Sequence, residues 1–97
     1  NMKIAVTYQN GLVFQHFGHS EAFKIYEIEN GEVKNAEVAP TNGSGHGALA
    51  GFLKQHGVNA LICGGIGGGA RTALAEAGIE LYPGVSGSAD AAVNSLL

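Results

Sequence analysis

Residues 60–84 read ALICGGIGGGARTALAEAGIELYPG, and their pattern predicts parallel strands joined by a helix. Ala60–Cys63 is short, apolar and followed by glycines, which is typical of a buried parallel strand. The glycine turn leads into a helix that ends at Gly78. One face of that helix is formed by Ala70, Ala73, Leu74 and Ala77. Ile79–Tyr82 is a second short apolar run, so the order strand, helix, strand predicts a right-handed crossover between parallel strands.

The first forty residues predict antiparallel strands instead. Met2–Thr7 is an apolar run, and Ala22–Glu29 alternates apolar residues between two faces. Glu32–Ala39 returns as a further strand. The turns between them are marked by Asn10-Gly11 and Asn30-Gly31, the strongest short-range hairpin signal. This half of the chain therefore predicts an antiparallel meander.

Two further helices complete the pattern. Thr41–Gly47 (TNGSGHG) has the composition of a loop, and a helix should follow it to about His56 and stop at Gly57. Its apolar face is formed by Leu49, Phe52 and Leu53. Ser86 or Ser88 can cap a final helix. The apolar side of that helix is formed by Ala89, Ala92, Val93 and Leu96.

The predicted fold class is α/β, with a mixed central sheet of about five strands and three helices. An antiparallel meander is followed by βαβ units, which gives a ribonuclease-H-like outline. Residues 2–97 are expected to form one domain, because a chain of 97 residues supports a single core. Asn1 precedes the expected initiator Met2 and is interpreted as a residue left by cloning.

Composition and charge exclude several classes of function. The net charge is −3 and no basic run occurs, which argues against a nucleic-acid groove. No apolar stretch approaches the roughly 20 residues that span a bilayer, and no signal peptide opens the chain. The single cysteine, Cys63, cannot form an intrachain disulfide, which fits a cytoplasmic protein.

A ribonuclease-H-like outline suggests a nuclease, but the acidic residues do not support one. Two-metal phosphoryl transfer needs several convergent carboxylates. The chain has one aspartate, Asp90, in the last predicted helix, and its glutamates fall mostly on the meander. Metal-dependent nuclease activity is therefore rejected.

The glycine turn contains a G-x-G-x-x-A pattern at Gly65, Gly67 and Ala70. It follows a strand and opens a helix, as a dinucleotide fingerprint requires. The predicted sheet is too small for a two-half Rossmann domain, so close strand-to-helix packing is the competing interpretation. In either case the amides at a helix N-terminus can bind an anion.

Two of the four histidines share the stretch VFQHFGHSEAF, Val13–Phe23. His16 is interpreted as a functional residue, whereas His19 is expected to hold the turn. His46 lies in the glycine-rich loop, where binding and structural roles are equally expected. His56 lies at the C-terminal end of a predicted helix, where an imidazole interacts favourably with the helix dipole. A structural role is therefore expected for it.

Cys63 ends a predicted buried strand. A packed thiol is the default interpretation. The alternative is a thiol that opens at the carboxyl edge of the sheet, where α/β proteins place their ligands.

Three motifs, HFGHSEAF, GHGALAGFL and residues 60–84, together resemble the dinitrogenase iron–molybdenum cofactor biosynthesis domain family. The family includes NifX-like cofactor carriers, the C-terminal part of NifB-type proteins and small stand-alone proteins of anaerobic bacteria and archaea. It also includes the orange protein that binds a molybdenum–copper sulfide cluster. The resemblance runs from MKIAV to the final helix.

The resemblance implies a ribonuclease-H-like fold and a non-catalytic role: binding, carrying or sensing an anionic metal–sulfur cluster, of the Fe-Mo-S or Mo-Cu-S type. The family's cluster-contacting histidine falls on His16, and the GHG motif places His46 beside it. The candidate cluster-binding residues are His16, His19, His46, Cys63, Gly65, Gly67, Gly68 and Arg71. The candidate metal ligands among them are His16, His46 and Cys63.

The implied partners are the proteins that donate and accept the cluster, and the purified protein can lack its cluster. A monomer or weak homodimer is expected, with no nucleic-acid or membrane partner. The alternative function is a small regulatory or scaffold domain that binds an ordinary anion or a nucleotide without metal. No nucleophile, base and orienting group can be assigned together, so no enzyme activity is expected.

Overall fold

The computed structural model describes residues 2–41 and 46–97, without the side chains of residues 46 and 47. Six strands lie in these ranges: β1 (Met2–Gln9), β2 (Leu12–Val13), β3 (Ala22–Glu29), β4 (Glu32–Pro40), β5 (Ala60–Ile62) and β6 (Glu80–Tyr82). The helices are α1 (His46–Gln55), α2 (Gly68–Glu76) and α3 (Ala89–Asn94), with a 3₁₀ turn at Phe17–His19. None of the helices in these ranges is long and apolar enough to cross a membrane.

The sheet is mixed, with strand order β4-β3-β1-β5-β6 and with β2 paired to the end of β1. β1, β3 and β4 pair antiparallel, whereas β5 is parallel to β1 and β6 is parallel to β5. The predicted α/β architecture, a meander followed by crossovers, is confirmed. The sixth strand arises because the Asn10-Gly11 turn folds two residues back onto β1.

Alternation along the strands divides the core into two layers. On one face α1 and α2 cover Ala5, Phe23, Ile25 and Leu61. On the other face α3 covers Ile4, Val6, Tyr26, Ile28, Ala60 and Ile62. The helices contribute the apolar positions that their spacing predicted, including Leu49 and Leu53 from α1, Leu74 from α2 and Val93 from α3.

The last helix is shorter than its apolar spacing suggests. It ends at Asn94, so Leu96 lies beyond it and 39% of Leu96 is exposed. The expectation that Leu96 lines the helix was therefore wrong, because a six-residue helix presents less than two turns to the sheet. Ser88 is the N-cap, and its hydroxyl accepts a hydrogen bond from the Ala91 amide at 3.3 Å.

One edge of the sheet gathers the loops that carry the candidate residues. Because β1, β4, β5 and β6 run in the same direction, their carboxyl ends meet at this edge, which we call the carboxyl edge. The histidine loop (residues 14–19) and the glycine turn (residues 63–67) both leave the sheet here. α1 and α2 connect these carboxyl ends to the starts of β5 and β6, so both helices begin at the carboxyl edge.

Candidate functional site

The histidine loop lies alongside the glycine turn. The Gly65 amide donates a hydrogen bond to the Gln15 carbonyl at 2.7 Å, and the Phe17 amide donates to the Gly65 carbonyl at 3.0 Å. His16 lies between these two bonds and forms a parallel bridge with Gly65. Main-chain pairing therefore fixes the backbone of His16 against the glycine turn.

Phenylalanines hold this loop on the sheet while its histidines face outward. Phe17 is 1% exposed and packs on Phe23, with ring centroids 6.0 Å apart. His16 and His19 are both exposed, and their ring centroids are 6.3 Å apart in an edge arrangement. The edge of Phe14 also approaches His16, at 6.0 Å between centroids. The loop thus combines a buried anchor with two accessible imidazoles.

The glycine turn ends at the N-terminus of α2. Gly67 is the N-cap and has no side chain to cap the helix. Gly67 and Gly68 are exposed, and the Arg71 amide is bonded to the Gly67 carbonyl at 3.0 Å. The amides of the first turn have no acceptor within the helix, and they carry the positive end of its dipole. Together with the exposed Arg71, this helix start suits an anion.

The segment leading to α1 is tied to the same edge. The Thr41 amide donates to the Glu21 carbonyl at 2.9 Å, and the Thr41 hydroxyl donates to the Ser20 carbonyl at 2.9 Å. α1 also contacts the 3₁₀ turn of the histidine loop. His46 is the first residue of α1, so its backbone is at the carboxyl edge, while its side chain lies outside the described residues.

Cys63 is the first residue of the glycine turn and is 0% exposed. Its amide donates to the Tyr82 carbonyl at 3.2 Å, and its carbonyl accepts from the Val85 amide at 3.0 Å. Burial raises the pKa of the Cys63 thiol to about 11, against a smaller lowering by Arg71. The thiol is therefore protonated at neutral pH, and a metal could reach it only after the turn opened.

We expect Cys63 to resist modification in the folded protein. A pKa raised from 9.0 to about 11 lowers the thiolate fraction about 100-fold, and burial blocks access as well. Reaction with 5,5′-dithiobis(2-nitrobenzoic acid) should thus be at least about 100-fold slower than in concentrated guanidinium chloride. Because the chain has one cysteine, the released colour reports this site alone. Equal rates in both states would show that Cys63 is open to ligands.

A groove of about 270 Å³ opens beside His16, lined by Leu12, Phe14 and Gln15 among others. A groove of about 290 Å³ lies at the opposite edge, around Lys3, and is lined by Glu27 and Glu29. Two carboxylates disfavour an anion in the second groove. The groove beside His16 is therefore the better place for an anionic ligand.

Among the side chains that the structure describes, no three His, Cys, Asp or Glu residues are grouped as a ready metal site. The side chain of His46 lies outside the described residues. The described part of the site therefore offers single imidazoles and main-chain amides. These groups suit a ligand that brings its own sulfide or other inorganic ligands to its metals.

A family model described as dinitrogenase iron–molybdenum cofactor matches residues 1–97. The chain belongs to this family. The match spans the sheet, the histidine loop and the glycine turn, so the whole described fold is that of a family member.

The chain is similar in sequence to proteins of an archaeon and a bacterium, and similar in fold to a solved bacterial structure. An uncharacterised protein of Methanocaldococcus jannaschii is 38% identical over 102 residues, covering 99% of this chain and 86% of the relative. The FeMo cofactor biosynthesis protein NifB of Sinorhizobium fredii is 33% identical over 88 residues, covering 82% of this chain but 18% of NifB. The apo orange protein of Desulfovibrio gigas superposes with a TM-score of 0.79 at 28% identity, covering 99% of this chain and 84% of that structure.

The structure adds two site residues that the sequence did not reveal, Gln15 and Gly64. The Gln15 side chain donates to the Val13 carbonyl at 2.9 Å and to the Val85 carbonyl at 3.1 Å. Gly64 lies directly beneath it. No local pattern marks a glutamine as the partner of a residue 70 positions later, so sequence spacing could not have found this contact.

Proposed function

We propose that the protein binds an anionic metal–sulfur cluster reversibly at the carboxyl edge and transfers it during cofactor biosynthesis. The observation that carries this proposal is the pairing of the histidine loop with the glycine turn. It fixes His16, a good ligand for copper or iron, next to the free amides at the start of α2. Family membership supports the same class of ligand.

The distribution of acidic residues favours an anion at this edge. Five of the eight acidic residues lie toward the edge of the sheet opposite the carboxyl edge. Four are in the strand ends there, Glu27, Glu29, Glu32 and Glu80, and Glu76 is at the C-terminal end of α2. A chain with a net charge of −3 can therefore keep its carboxylates away from the cluster. Arg71 and the α2 dipole then act with less opposition.

Each candidate residue has a distinct role in this proposal. His16 coordinates an exposed metal of the cluster, and His46 supplies a second ligand from the start of α1. The amides of Gly67 and Gly68, with Arg71, bind the sulfides, while His19 borders the site. The Gly65 amide is bonded to the Gln15 carbonyl and holds the turn against the histidine loop instead. Cys63 joins as a ligand only if the glycine turn opens. Few direct ligands suit a carrier, because the cluster must also leave.

The partners in this proposal are a protein that donates the cluster and one that accepts it. The protein itself catalyses no reaction and acts as a monomer or weak homodimer. A cytoplasmic location is proposed because the one cysteine is a free thiol. The cluster can be of the Fe-Mo-S or the Mo-Cu-S type.

Anaerobic titration with tetrathiomolybdate and copper(I), followed by desalting, tests this function. The wild-type protein should retain visible absorbance and a fixed metal-to-protein ratio. His16→Ala should weaken retention about tenfold or more, because a lost ligand removes at least about 1.4 kcal/mol of binding free energy. Its melting temperature should be unchanged, because His16 is exposed and packs little.

His56→Ala is the matched control. His56 packs against Phe52 in a tilted arrangement, with ring centroids 4.5 Å apart. It lies just beyond the C-terminal end of α1, at the far end of that helix from the site. That variant should retain the wild-type amount of metal. Full retention by His16→Ala would contradict the site, and loss of all colour from the wild type would contradict a molybdenum–copper cluster as the cargo.

The exposed start of α2 favours one second candidate, an ordinary phosphate-bearing ligand bound without metal. Under that alternative, nucleotides or inorganic phosphate should raise the melting temperature in proportion to the logarithm of their concentration. The same ligands should have no effect on a metal–sulfur carrier beyond weak competition.

A further inference from the structure

We infer that Gln15 is the positioning residue of the site and that Gly64 must lack a side chain so that Gln15 can act. The inference rests on the proposed function in one respect: the position that Gln15 fixes is that of His16. The main-chain pairing, side-chain bonds and close packing around Gln15 do not depend on a bound cluster.

The main chain of Gln15 makes the first contact with the glycine turn. Its carbonyl accepts from the Gly65 amide at 2.7 Å, the shorter of the two bonds on either side of His16. The Phe14 carbonyl accepts a longer hydrogen bond from the Gly64 amide, at 3.4 Å. Gln15 is thus the tightest point at which the histidine loop is attached to the turn.

The side chain of Gln15 extends this attachment to a third loop, residues 83–88 between β6 and α3. Its amide nitrogen donates to the Val13 carbonyl at 2.9 Å and to the Val85 carbonyl at 3.1 Å. The third loop is itself bonded to the glycine turn, because the Gly84 amide donates to the Gly64 carbonyl at 2.8 Å. One side chain therefore closes a ring of three loops around the glycine turn.

At Gly64 this ring of loops leaves no room for a side chain. A Cβ at Gly64 would lie 2.5 Å from Oε1 of Gln15 and 2.7 Å from its Cα. The second contact is to backbone, so a rotation of the glutamine side chain would not relieve it. A Cβ at Gly67 or Gly68 would meet nothing within 4 Å. The glycine-rich run thus has two uses, close approach at its start and open amides at its end.

Gly64→Ala, with Gly51→Ala as its matched control, tests the packing. Gly51 is exposed on α1, and a Cβ there would meet nothing within 4 Å. Gly64→Ala should push the histidine loop away, so the Gly65 and Phe17 amides should exchange with solvent about tenfold faster or more. Retention of the tetrathiomolybdate–copper(I) product should fall by about tenfold or more, the usual range for groups that orient a metal ligand. Gly51→Ala should match the wild type in both measurements.

Gln15→Met tests the hydrogen bonds in a protein that keeps the side-chain length, and it remains informative if Gly64→Ala does not fold. Loss of the amide donor should accelerate exchange at Gly65 and Phe17 and shift the ring resonances of His16, with little change in melting temperature. Unchanged exchange and unchanged His16 resonances in folded Gln15→Met would overturn the inference, whatever the wild type binds. If the wild type retains no tetrathiomolybdate–copper(I) product while exchange is accelerated in Gln15→Met, the molybdenum–copper form of the proposed function is contradicted and the positioning role of Gln15 stands.

Discussion

Replacing Phe17 by alanine is expected to lower the free energy of unfolding by about 3–5 kcal/mol, the usual cost of truncating a buried phenylalanine. Phe17 is 1% exposed and belongs to the core layer beneath α1 and α2. It is also the residue next to His16, so the same ring that fills the core attaches the histidine loop to the sheet. Urea denaturation followed by circular dichroism measures the change.

Phe14→Ala is the control for this prediction. Phe14 is half-buried and lies against His16 rather than in the core, so its loss should cost about 1–2 kcal/mol. If Phe17→Ala leaves too little folded protein, Phe17→Leu keeps most of the volume and should cost about 1–2 kcal/mol. A loss below about 1 kcal/mol for Phe17→Ala would show that the loop is not anchored through this ring.

The features that sequence predicted well are those decided locally. Asn30 and Gly31 have φ angles of 52° and 76°, values that asparagine and glycine tolerate and that a tight hairpin needs. The strand before this turn spans Ala22–Glu29, as its alternation predicted. Because neighbouring residues alone decide such turns and alternations, no knowledge of the remaining chain was required.

The features that sequence missed depend on residues far apart in the chain. Gln15 bonds Val85, and Asp90 bonds two side chains of β3, across separations of more than 60 residues. A register shift in the β3–β4 pairing after Glu27 leaves Lys34 without an opposing residue in β3. No glycine at this point of the sequence indicates the shift. Hairpin turns and apolar periodicity predicted where each strand and helix falls in the sequence. The contacts between their loops depend on which strands become neighbours in the complete sheet, and that is not decided locally.

Asp90→Ala is expected to cost about 2 kcal/mol of stability, although two thirds of the Asp90 side chain is exposed. One carboxylate oxygen accepts from the Tyr26 hydroxyl at 2.5 Å and from the Lys24 ammonium at 2.9 Å. Tyr26 is 2% exposed, so the variant leaves a buried hydroxyl without this acceptor. The bond from Tyr26 should carry most of the effect, because solvent screens the ion pair with Lys24.

Tyr26→Phe should lower the free energy of unfolding by less, about 1–1.5 kcal/mol, because it removes the hydroxyl and therefore leaves no buried donor without an acceptor. The double variant should then show that the two losses are not additive, since both break one bond. Additive losses would mean that Asp90 stabilises the protein through Lys24 or the start of α3 instead. Urea denaturation at neutral pH gives all four free energies of unfolding.

The pH dependence of this pair gives an independent check, because its two members titrate at opposite ends of the scale. The hydrogen bond from Tyr26, and then Lys24, lowers the pKa of Asp90 below 3.8, so its stabilisation is present above that value and is lost as the pH falls through the folded pKa. Burial, and then the bond to Asp90, raises the pKa of Tyr26 above 10.0, so its stabilisation is present below that value and is lost as the pH rises beyond it. The stability difference between wild type and Tyr26→Phe should therefore be constant from about pH 5 to about pH 9 and shrink on both sides. A difference that persists into strong acid would show that the carboxylate is not the acceptor that stabilises Tyr26.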